Sequence, residues 1–405
     1  MKGLTLLGST GSIGLSTLDV LRVLTDRYRI VALAAGRNAA RLADQILEFR
    51  PALAVVETED ARTHLIKRLE ASSLPRSQWP ELGFGPEALV RTTAAEEVDF
   101  VMSAIVGVAG MAATYEAVRC GKTVGLANKE TLVAGGDLVM EAAARSGAEM
   151  IPVDSEHNGA HQCLRAGRRV EVARLILTAS GGPLRQTPVP DLAAVTPRQA
   201  LNHPTWKMGP RISIDSATLM NKGFEVIEAC WLFGFRPEEV QVVIHPQSSV
   251  HAMVEYRDGS LVAQASTPDM RMPIQYALTW PDRLPSQVPL IEWDRPRTWE
   301  FSPPDHARFP LLGLAYKALE AGGSAGCTLN AADEVAVDAF LHEDLPFLSI
   351  AEVVEDTLAA VPVSRPASVA DLLEIDRASR VAAQGACRRA RSRPTAQSNL
   401  RVGIS

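Results

Sequence analysis

The sequence predicts an α/β protein that begins with a Rossmann-like, doubly wound parallel sheet. Short apolar runs alternate with helical patterns through about residue 150, which is typical of a parallel sheet covered by helices. The first run leads directly into a loop with glycines at 8, 11 and 14. A chain of 405 residues is also too long for one compact core, so two or three domains are expected.

The predicted strands of this first domain, residues 1–150, are short and apolar. They cover residues 4–7, 29–34, 53–56, 99–103, 123–127 and 149–153. Helices are predicted over 12–24 and 39–49; in the second of these, Leu42, Ile46 and Leu47 share one face.

The sequence GSTGSIG at 8–14 follows the first predicted strand and opens the first helix. Glycines let the backbone approach a pyrophosphate, whose charge is favoured at a helix N-terminus. A tight turn without a ligand is the alternative. After the second strand, where an NAD site usually has an acid, the sequence has Gly36, Arg37 and Asn38. A cation there suits the 2′-phosphate of NADP, unless Arg37 is only a surface charge and Asn38 a helix cap.

Composition limits the other classes of function. A net charge of -6 and a pI near 5.8 argue against a general nucleic-acid binder. Five scattered cysteines without a C-x-x-C pair favour a reducing compartment. We find no apolar run near the roughly 20 residues of a membrane span, and the first residues leave no room for a signal peptide. We therefore expect a cytoplasmic protein with no membrane or nucleic-acid partner.

Polar residues follow two further strands, where open α/β sheets bind ligands. One of these strands is followed by Asn128, Lys129 and Glu130. The start of a helix would explain Asn128 as its cap and Glu130 as an acid near its N-terminus, but it would not explain Lys129. Asp154 and Glu156 follow the next, and two such carboxylates suit Mg²⁺ or Mn²⁺.

His157 and His161 are four residues apart, which is compatible with zinc on a helix face. The H-E-x-x-H pattern is missing and a glycine lies at 159, so a structural role for both histidines is favoured.

Donors for a phosphate recur in the middle of the chain. Ser180 precedes two glycines, and Ser216, Asn221 and Lys222 offer hydroxyl, amide and ammonium groups. The segment 202–210, NHPTWKMGP, is predicted to be an active-site lid rather than a plain surface loop. Glu225 and Glu228 share a side of a predicted helix; one of them is a candidate metal ligand, and an exposed helix face explains the spacing equally well.

Seven strings occur in an order that closely resembles the 1-deoxy-D-xylulose 5-phosphate reductoisomerase family, from Met1 to about residue 380. They are GSTGSIG (8–14), LANKE (126–130), PVDSEHN (152–158), ASGGP (179–183), NHPTWKMG (202–209), DSATLMNKGFEVIEA (215–229) and IHPQS (244–248). The resemblance implies a homodimer that rearranges and reduces 1-deoxy-D-xylulose 5-phosphate with NADPH and Mg²⁺, Mn²⁺ or Co²⁺ to 2-C-methyl-D-erythritol 4-phosphate, in isoprenoid precursor biosynthesis.

The resemblance also implies a role for each matching residue. The metal ligands are Asp154, Glu156 and Glu225; Lys129 and Ser155 contact the substrate's oxygens, and Ser180, His203, Ser216, Asn221 and Lys222 bind its phosphate. Glu156 and Glu225 also face the substrate, and Lys129, Asp154, Glu156, Glu225 and His203 form the catalytic set. The NADPH site comprises Thr10, Gly11, Ser12, Ile13, Gly36, Arg37, Asn38, Asn128, Glu130 and Gly209, and the lid carries Trp206 and Met208.

Beyond the first domain we predict an α/β catalytic domain over 151–279, a proline-rich linker over 280–310 and a C-terminal helical domain over 311–384. An arginine-rich, disordered tail is expected over 385–405. The rival functions are an NADP-dependent semialdehyde dehydrogenase, which needs an activated cysteine, an NADP-binding redox sensor, and a metal-free hydroxy-acid dehydrogenase. The cysteines argue against the first, since none lies in a glycine loop or polar motif except Cys327, in a region predicted to be away from the site. The three carboxylates argue against the other two, and the phosphate donors also argue against the sensor.

Overall fold

The computed structural model describes residues 1–206 and 208–392, which divide into two compact units. The first unit comprises Met1–Thr131, Asp137–His161 and Asp269–Ile291; the second comprises Leu132–Gly136, Gln162–Pro268 and the described residues from Glu292 onward. Elements are labelled below in chain order.

The first unit contains a sheet of seven parallel strands. They are β1 (Lys2–Leu7), β2 (Tyr28–Ala34), β3 (Leu53–Val56), β4 (Glu81–Phe84), β5 (Phe100–Ser103), β6 (Thr123–Leu126) and β7 (Met150–Pro152). Their spatial order is β4-β3-β2-β1-β5-β6-β7, so the strand order reverses beside β1. This confirms the predicted doubly wound sheet; β4 was not predicted.

Helices cover this sheet. They are α1 (Ser12–Leu21), α2 (Ala39–Phe49), α3 (Glu59–Glu70), α4 (Gly85–Ala94), α5 (Met111–Arg119), α6 (Glu130–Ser146), α7 (Ser155–Cys163) and α11 (Arg271–Thr279). The face predicted for α2 is the one that packs inward, since Leu42 and Ile46 are fully buried and Leu47 packs against the same core. Each fully buried side chain of this size contributes about 1.5–3 kcal/mol.

The domain boundary predicted at residue 150 differs from the structure. Residues 137–161 and 269–291 belong to the first unit. In α11, Ile274 and Tyr276 join the core of the sheet, and the Tyr28 hydroxyl donates to the carbonyl of Leu278 at 2.6 Å. These contacts join residues about 250 positions apart, which a pattern in the sequence does not reveal.

The second unit is built on a four-stranded sheet in the order β11-β10-β8-β9. Its strands are β8 (Val172–Ala179), β9 (Val240–Ile244), β10 (Val250–Tyr256) and β11 (Leu261–Ala265). β8 and β9 run parallel, and β10 is antiparallel to both β8 and β11. The helices are α8 (Pro197–Ala200), α9 (Pro210–Thr218), α10 (Met220–Phe233), α12 (Pro310–Ala321), α13 (Ala325–Leu341), α14 (Ser349–Ala360) and α15 (Val369–Ser392).

The C-terminal helices extend farther than predicted. The helix α15 continues to Ser392, with Ala386 and Cys387 buried on one face. The expectation of a tail from residue 385 is therefore wrong as far as Ser392; residues 393–405 lie outside the described residues. None of the helices in the described part of the chain combines the length and the apolar character that crossing a bilayer requires.

Candidate active site

The glycine loop between β1 and α1 forms a compact turn that only glycine permits at two positions. Gly8 has a φ of +85°, and a Cβ added there would lie 2.5 Å from the carbonyl oxygen of Ala104. A Cβ on Gly14 would lie 2.3 Å from the carbonyl oxygen of Gly8. The turn leads into α1 with Gly11 as N-cap and no side-chain cap on the first turn. Such a loop at a helix N-terminus is built to receive a pyrophosphate.

Arg37 lies just after β2 and is 80% exposed, and its Nε donates to Oε2 of Glu57 at 3.1 Å. Asn38 is the N-cap of α2, since its side chain accepts from the backbone N–H of Arg41 at 3.1 Å. The cap predicted as the alternative for Asn38 is therefore present. Glu57, which follows β3 and accepts this hydrogen bond, was missed by the sequence analysis.

Asn128 is buried and supports the start of α6. Its Nδ2 donates to the carbonyl oxygen of Gly107 at 2.9 Å, and its Oδ1 accepts from the backbone N–H of Thr131 at 2.9 Å. Glu130 is also buried, in the first turn of the same helix. Both residues thus have the helix-start role that the alternative interpretation gave them, at the carboxyl end of β6.

Lys129 forms a largely buried ion pair with Asp154, whose Oδ2 lies 3.0 Å from the Lys129 Nζ. Asp154 follows β7, and its Oδ1 accepts from the backbone N–H of Glu156 at 3.1 Å, at the start of α7. A carboxylate oxygen of Asp154 lies within 4.8 Å of one of Glu156, and the Ser155 hydroxyl donates to Glu156 Oε2 at 2.9 Å. Two adjacent carboxylates repel each other, so the pair favours a cation.

The two histidines of α7 have separate surroundings. His157 is fully buried, with its Nδ1 3.7 Å from Asp154 Oδ1. His161 Nδ1 lies 2.8 Å from the Tyr276 hydroxyl, and its ring meets the Trp280 ring edge-on at 4.7 Å between centroids. The aromatic packing of His161 agrees with the predicted structural role and not with a shared zinc site.

In the second unit, Ser180 and His203 form a hydrogen bond of 2.9 Å between the hydroxyl and the ring Nε2. The other ring nitrogen accepts from the backbone N–H groups of Thr205, at 3.2 Å, and Trp206, at 2.9 Å. Because Nδ1 accepts, Nε2 must carry the proton of a neutral ring and donate to Ser180. Burial also lowers the pKa of His203. The Ser180 hydroxyl proton is then available to a phosphate oxygen.

Ser216 lies against the turn that Ser180 begins. A Cβ on Gly182 would be 2.6 Å from the backbone oxygen of Ser216, and Gly181 and Gly182 both have positive φ, +80° and +69°. The backbone N–H of Gly182 donates to the Ser180 hydroxyl oxygen at 3.1 Å, which closes this turn. Ser180 thus contacts His203, and the backbone of Ser216 lies beside the turn that Ser180 begins.

Glu225 is fully buried in the middle of α10, where Asn221 Nδ2 donates to its Oε1 at 2.6 Å. Lys222 Nζ forms an ion pair with the other carboxylate oxygen. The exposed-face alternative is wrong for both glutamates, since Glu228 is buried too. Leu219, between α9 and α10, has a left-handed φ of 63°. A branched side chain in that conformation costs about 1–2 kcal/mol, and such strain concentrates at functional turns.

The segment 202–209 connects α8 to α9 as turns and irregular backbone in its described residues, which exclude residue 207. Trp206 and Met208 are half-buried. The Trp206 ring is tilted toward that of His251, 6.5 Å away between centroids. His251, whose Nε2 lies 3.1 Å from the Ser266 hydroxyl, was not singled out from the sequence. His251 lies beside this segment because it belongs to β10, which is remote from the segment in the sequence.

The fold, the glycine loop, the acidic pair and the phosphate donors define an NADP-dependent oxidoreductase with a divalent-metal site. Models of the 1-deoxy-D-xylulose 5-phosphate reductoisomerase family match residues 4–136, and models of its C-terminal domains match 150–233 and 265–382. The chain belongs to the 1-deoxy-D-xylulose 5-phosphate reductoisomerase family.

Individual relatives agree along nearly their whole length. The 1-deoxy-D-xylulose 5-phosphate reductoisomerase of Solibacter usitatus is 64% identical over 384 residues, 95% of this chain and 97% of that protein. The reductoisomerase of Methylococcus capsulatus is 51% identical, over 95% of this chain and 98% of that protein. The Zymomonas mobilis reductoisomerase in complex with NADPH superposes with a TM-score of 0.88 at 43% identity, covering 95% and 99%. A reductoisomerase in complex with NADPH, fosmidomycin and magnesium superposes with a TM-score of 0.90 at 38% sequence identity. The match covers 96% of this chain and 98% of that one.

The cysteines provide independent evidence against a semialdehyde dehydrogenase. Burial raises the pKa of Cys163 to about 11 and those of Cys230 and Cys327 to about 12. The pKa values of Cys120 and Cys387 are raised as well, first of all by desolvation. All five cysteines lie in the described part of the chain, and none has the lowered pKa of a nucleophilic thiolate.

Proposed function

We propose that this chain converts 1-deoxy-D-xylulose 5-phosphate into 2-C-methyl-D-erythritol 4-phosphate with NADPH and a divalent metal, through the residues named below. The observation that carries the proposal is the paired arrangement of lysines and carboxylates: Lys129 with Asp154, and Lys222 with Glu225. In each pair a predicted metal ligand is held by a predicted substrate ligand.

Asp154, Glu156 and Glu225 are the proposed metal ligands. Their hard carboxylate oxygens fit Mg²⁺ or Mn²⁺, with Co²⁺ also accepted. When bound, the metal stabilises negative charge on the substrate's oxygens, and NADPH supplies the hydride. With a cation held by these carboxylates, Lys129 and Ser155 would contact the substrate's oxygens, and Lys222 would contact its phosphate.

Ser180, His203, Ser216, Asn221 and Lys222 form the proposed phosphate site. The hydrogen-bond directions support it, because a neutral His203 donates to Ser180 and leaves the Ser180 proton for the ligand. Asn221 and Lys222 lie on the first turn of α10, whose N-terminus also favours an anion. Binding the phosphate away from the reacting carbons provides energy for orientation.

The NADPH site is proposed to comprise the loop residues Thr10, Gly11, Ser12 and Ile13, the segment Gly36, Arg37 and Asn38, and Asn128, Glu130 and Gly209. Arg37 is the proposed partner of the 2′-phosphate. Glu57 contacts the Nε of Arg37 and so steadies a guanidinium that is otherwise largely exposed. Trp206 and Met208 are proposed to close over the substrate and exclude water.

We also propose a cytoplasmic homodimer in which manganese can replace magnesium. Leu290 and Trp293 are 91% and 70% exposed, and large exposed apolar side chains near each other in the chain support a contact with a second copy. Five cysteines without a disulfide suit a reducing compartment.

The first test is oxidation of NADPH by the purified chain with 1-deoxy-D-xylulose 5-phosphate and Mn²⁺, with and without EDTA. We expect oxidation that needs the substrate, stops with EDTA and returns with added Mn²⁺ or Mg²⁺. Folded, metal-loaded protein that oxidises no NADPH would refute the reaction, and activity that survives EDTA would refute the metal site alone.

A further inference from the structure

A group of charged side chains, none of which was assigned a role above, joins three helices of the second unit. Arg211 and Asp215 lie on α9, Asp333 and Glu334 on α13, and Asp376 and Arg380 on α15. Asp333 is fully buried, and Asp215 is 3% exposed. Burying ionic groups is costly, and apolar residues of the same volume often give equal or greater stability. Stability alone therefore does not account for the group.

Arg211 attaches the first turn of α9 to α13. Its Nη1 lies 2.6 Å from Glu334 Oε1, and its Nη2 donates to Asn330 Oδ1 at 2.8 Å. Asp333 Oδ2 lies 3.8 Å from the same Nη2. Arg211 directly follows Pro210, where α9 begins and the segment 202–209 ends. The predicted lid thus ends at the first turn of α9, which the Arg211 guanidinium group fixes to α13.

Asp333 is fully buried and experiences the charge of the buried Asp215. Desolvation and the charge of Asp215 raise the pKa of Asp333 well above its usual value, against the opposing effect of Arg211. The other charges around the pair are Glu334 on α13 and Asp376 and Arg380 on α15, where Arg380 Nε donates to Asp376 Oδ2 at 2.7 Å. Burial and the like charge of Asp215 thus both act against the charged form of Asp333.

The same helix carries Ser216, next to Asp215. The backbone oxygen of Ser216 lies so close to Gly182 that a Cβ would not fit between them. The place of Ser216 beside the Ser180–Gly182 turn is thus set by where α9 is fixed. We propose that Arg211 and Asp333 are positioning residues for the substrate's phosphate, which act by fixing α9 on α13 and so placing Ser216. This inference rests on the proposed phosphate site.

The test compares isosteric and apolar changes at Asp333. Asp333→Asn keeps the shape and the hydrogen-bonding capacity of the side chain, so the KM for 1-deoxy-D-xylulose 5-phosphate should stay within about twofold of wild type. Asp333→Leu leaves Asp215 without this partner, and the substrate KM should rise about tenfold, less than the 10²-fold that a 1 Å misplacement can cost. The KM for NADPH should not change in either variant.

The matched control is Arg380→Met, which removes a cation from the α15 side of the same group. It should lower the melting temperature without a selective rise in the substrate KM, since Arg380 has its ion pairs with α13 and α15. A substrate KM that rises equally in Arg380→Met and Asp333→Leu would show a general loss of structure and overturn the positioning role. So would an Asp333→Asn enzyme as impaired as Asp333→Leu.

A double-mutant cycle separates this inference from the phosphate site itself. If Asp333 acts through Ser216, Asp333→Leu should add little to the substrate KM of Ser216→Ala. Effects that multiply in the double variant would overturn the inference while the phosphate site stands. A Ser216→Ala enzyme with an unchanged KM would refute the phosphate role of Ser216 and this inference with it. If Asp333→Leu fails to fold, Arg211→Lys takes its place in the same cycle. This change keeps the positive charge but loses the two-pronged hydrogen bonding of the guanidinium group.

Discussion

His203 accepts two backbone N–H groups on one ring nitrogen and contacts the Ser180 hydroxyl, 2.9 Å away, with the other. The ring therefore fixes the turn at Thr205 and Trp206 and orients Ser180 at the same time. Both functions need the neutral ring, because a proton on Nδ1 would face two donors. The segment 202–209 and the phosphate site are thus linked through one titratable group.

Acid should loosen this link. The folded-state pKa of His203 is lowered by burial, so the unfolded chain binds its proton more readily than the folded chain does. The stabilisation is present above the usual pKa of histidine and is lost as the pH falls through that value toward the folded one. We expect the melting temperature of wild type to exceed that of His203→Gln at pH 8 and the difference to shrink by pH 5. A difference that grows toward acid pH would contradict the neutral ring.

Glu225→Gln should abolish turnover while leaving the fold and NADPH binding nearly intact. The change removes the charge of a proposed metal ligand, and losses of more than about 10²-fold in kcat are expected when a metal's charge stabilisation is lost. Glu228→Gln, at a buried position three residues along the same helix, is the control and should remain active. Full activity of Glu225→Gln at saturating metal would mean that another residue is the third ligand.

Arg37→Ala should weaken NADPH binding and leave NADH binding unchanged. A charge-assisted hydrogen bond is worth about 1.5–3 kcal/mol, so the Kd for NADPH should rise about tenfold or more. Arg50→Ala, an exposed arginine at the other end of α2, should affect neither cofactor. The Kd values can be measured by titration of protein fluorescence; equal effects of Arg37→Ala on both cofactors would exclude its 2′-phosphate role.

Gly182→Ala should impair the enzyme more than Gly234→Ala does. Both glycines have left-handed backbone, with φ of +69° and +65°, so each change costs about 1–2 kcal/mol of stability. A Cβ on Gly182 also meets Ser216, whereas a Cβ on Gly234 meets nothing within 4 Å. We therefore expect only Gly182→Ala to raise the substrate KM, measured together with thermal unfolding of both variants. An unchanged KM would show that Ser216 can move without loss.

The features predicted correctly from the sequence are those that depend on interactions between residues close together in the chain. The period of α2, the glycine loop and the polar ends of β6 and β7 each depend on residues that are close in the chain. The strand β4 was missed because Glu81–Phe84 is short, partly exposed and contains a glycine. The end of α15 was missed because Arg388, Arg389 and Arg391 follow the buried Ala386 and Cys387 directly and resemble a solvated tail.

The pairs that make the site work join residues whose proximity the sequence does not show. Glu57 meets Arg37 only because β2 and β3 are neighbours in the sheet. His203 contacts Ser180 across 23 residues, and its tautomer follows from the local turn at Trp206. Asp333 and Arg211 are more than a hundred residues apart, and the pKa of Asp333 is raised first of all by its burial. None of these contacts can be read from a pattern of residues in a single sequence.

The division of the first unit among three stretches of chain has a consequence for synthesis. The core around β1 needs Ile274 and Tyr276 from α11, which leave the ribosome long after the sheet's seven strands. A chain paused at Met150 has all but the last of these strands and lacks the helix that covers α1. Its exposed apolar surface is a hazard for aggregation until residue 291 has emerged. Fragments cut at the apparent domain boundary should therefore be insoluble, and the full chain should depend on chaperones while it is being made.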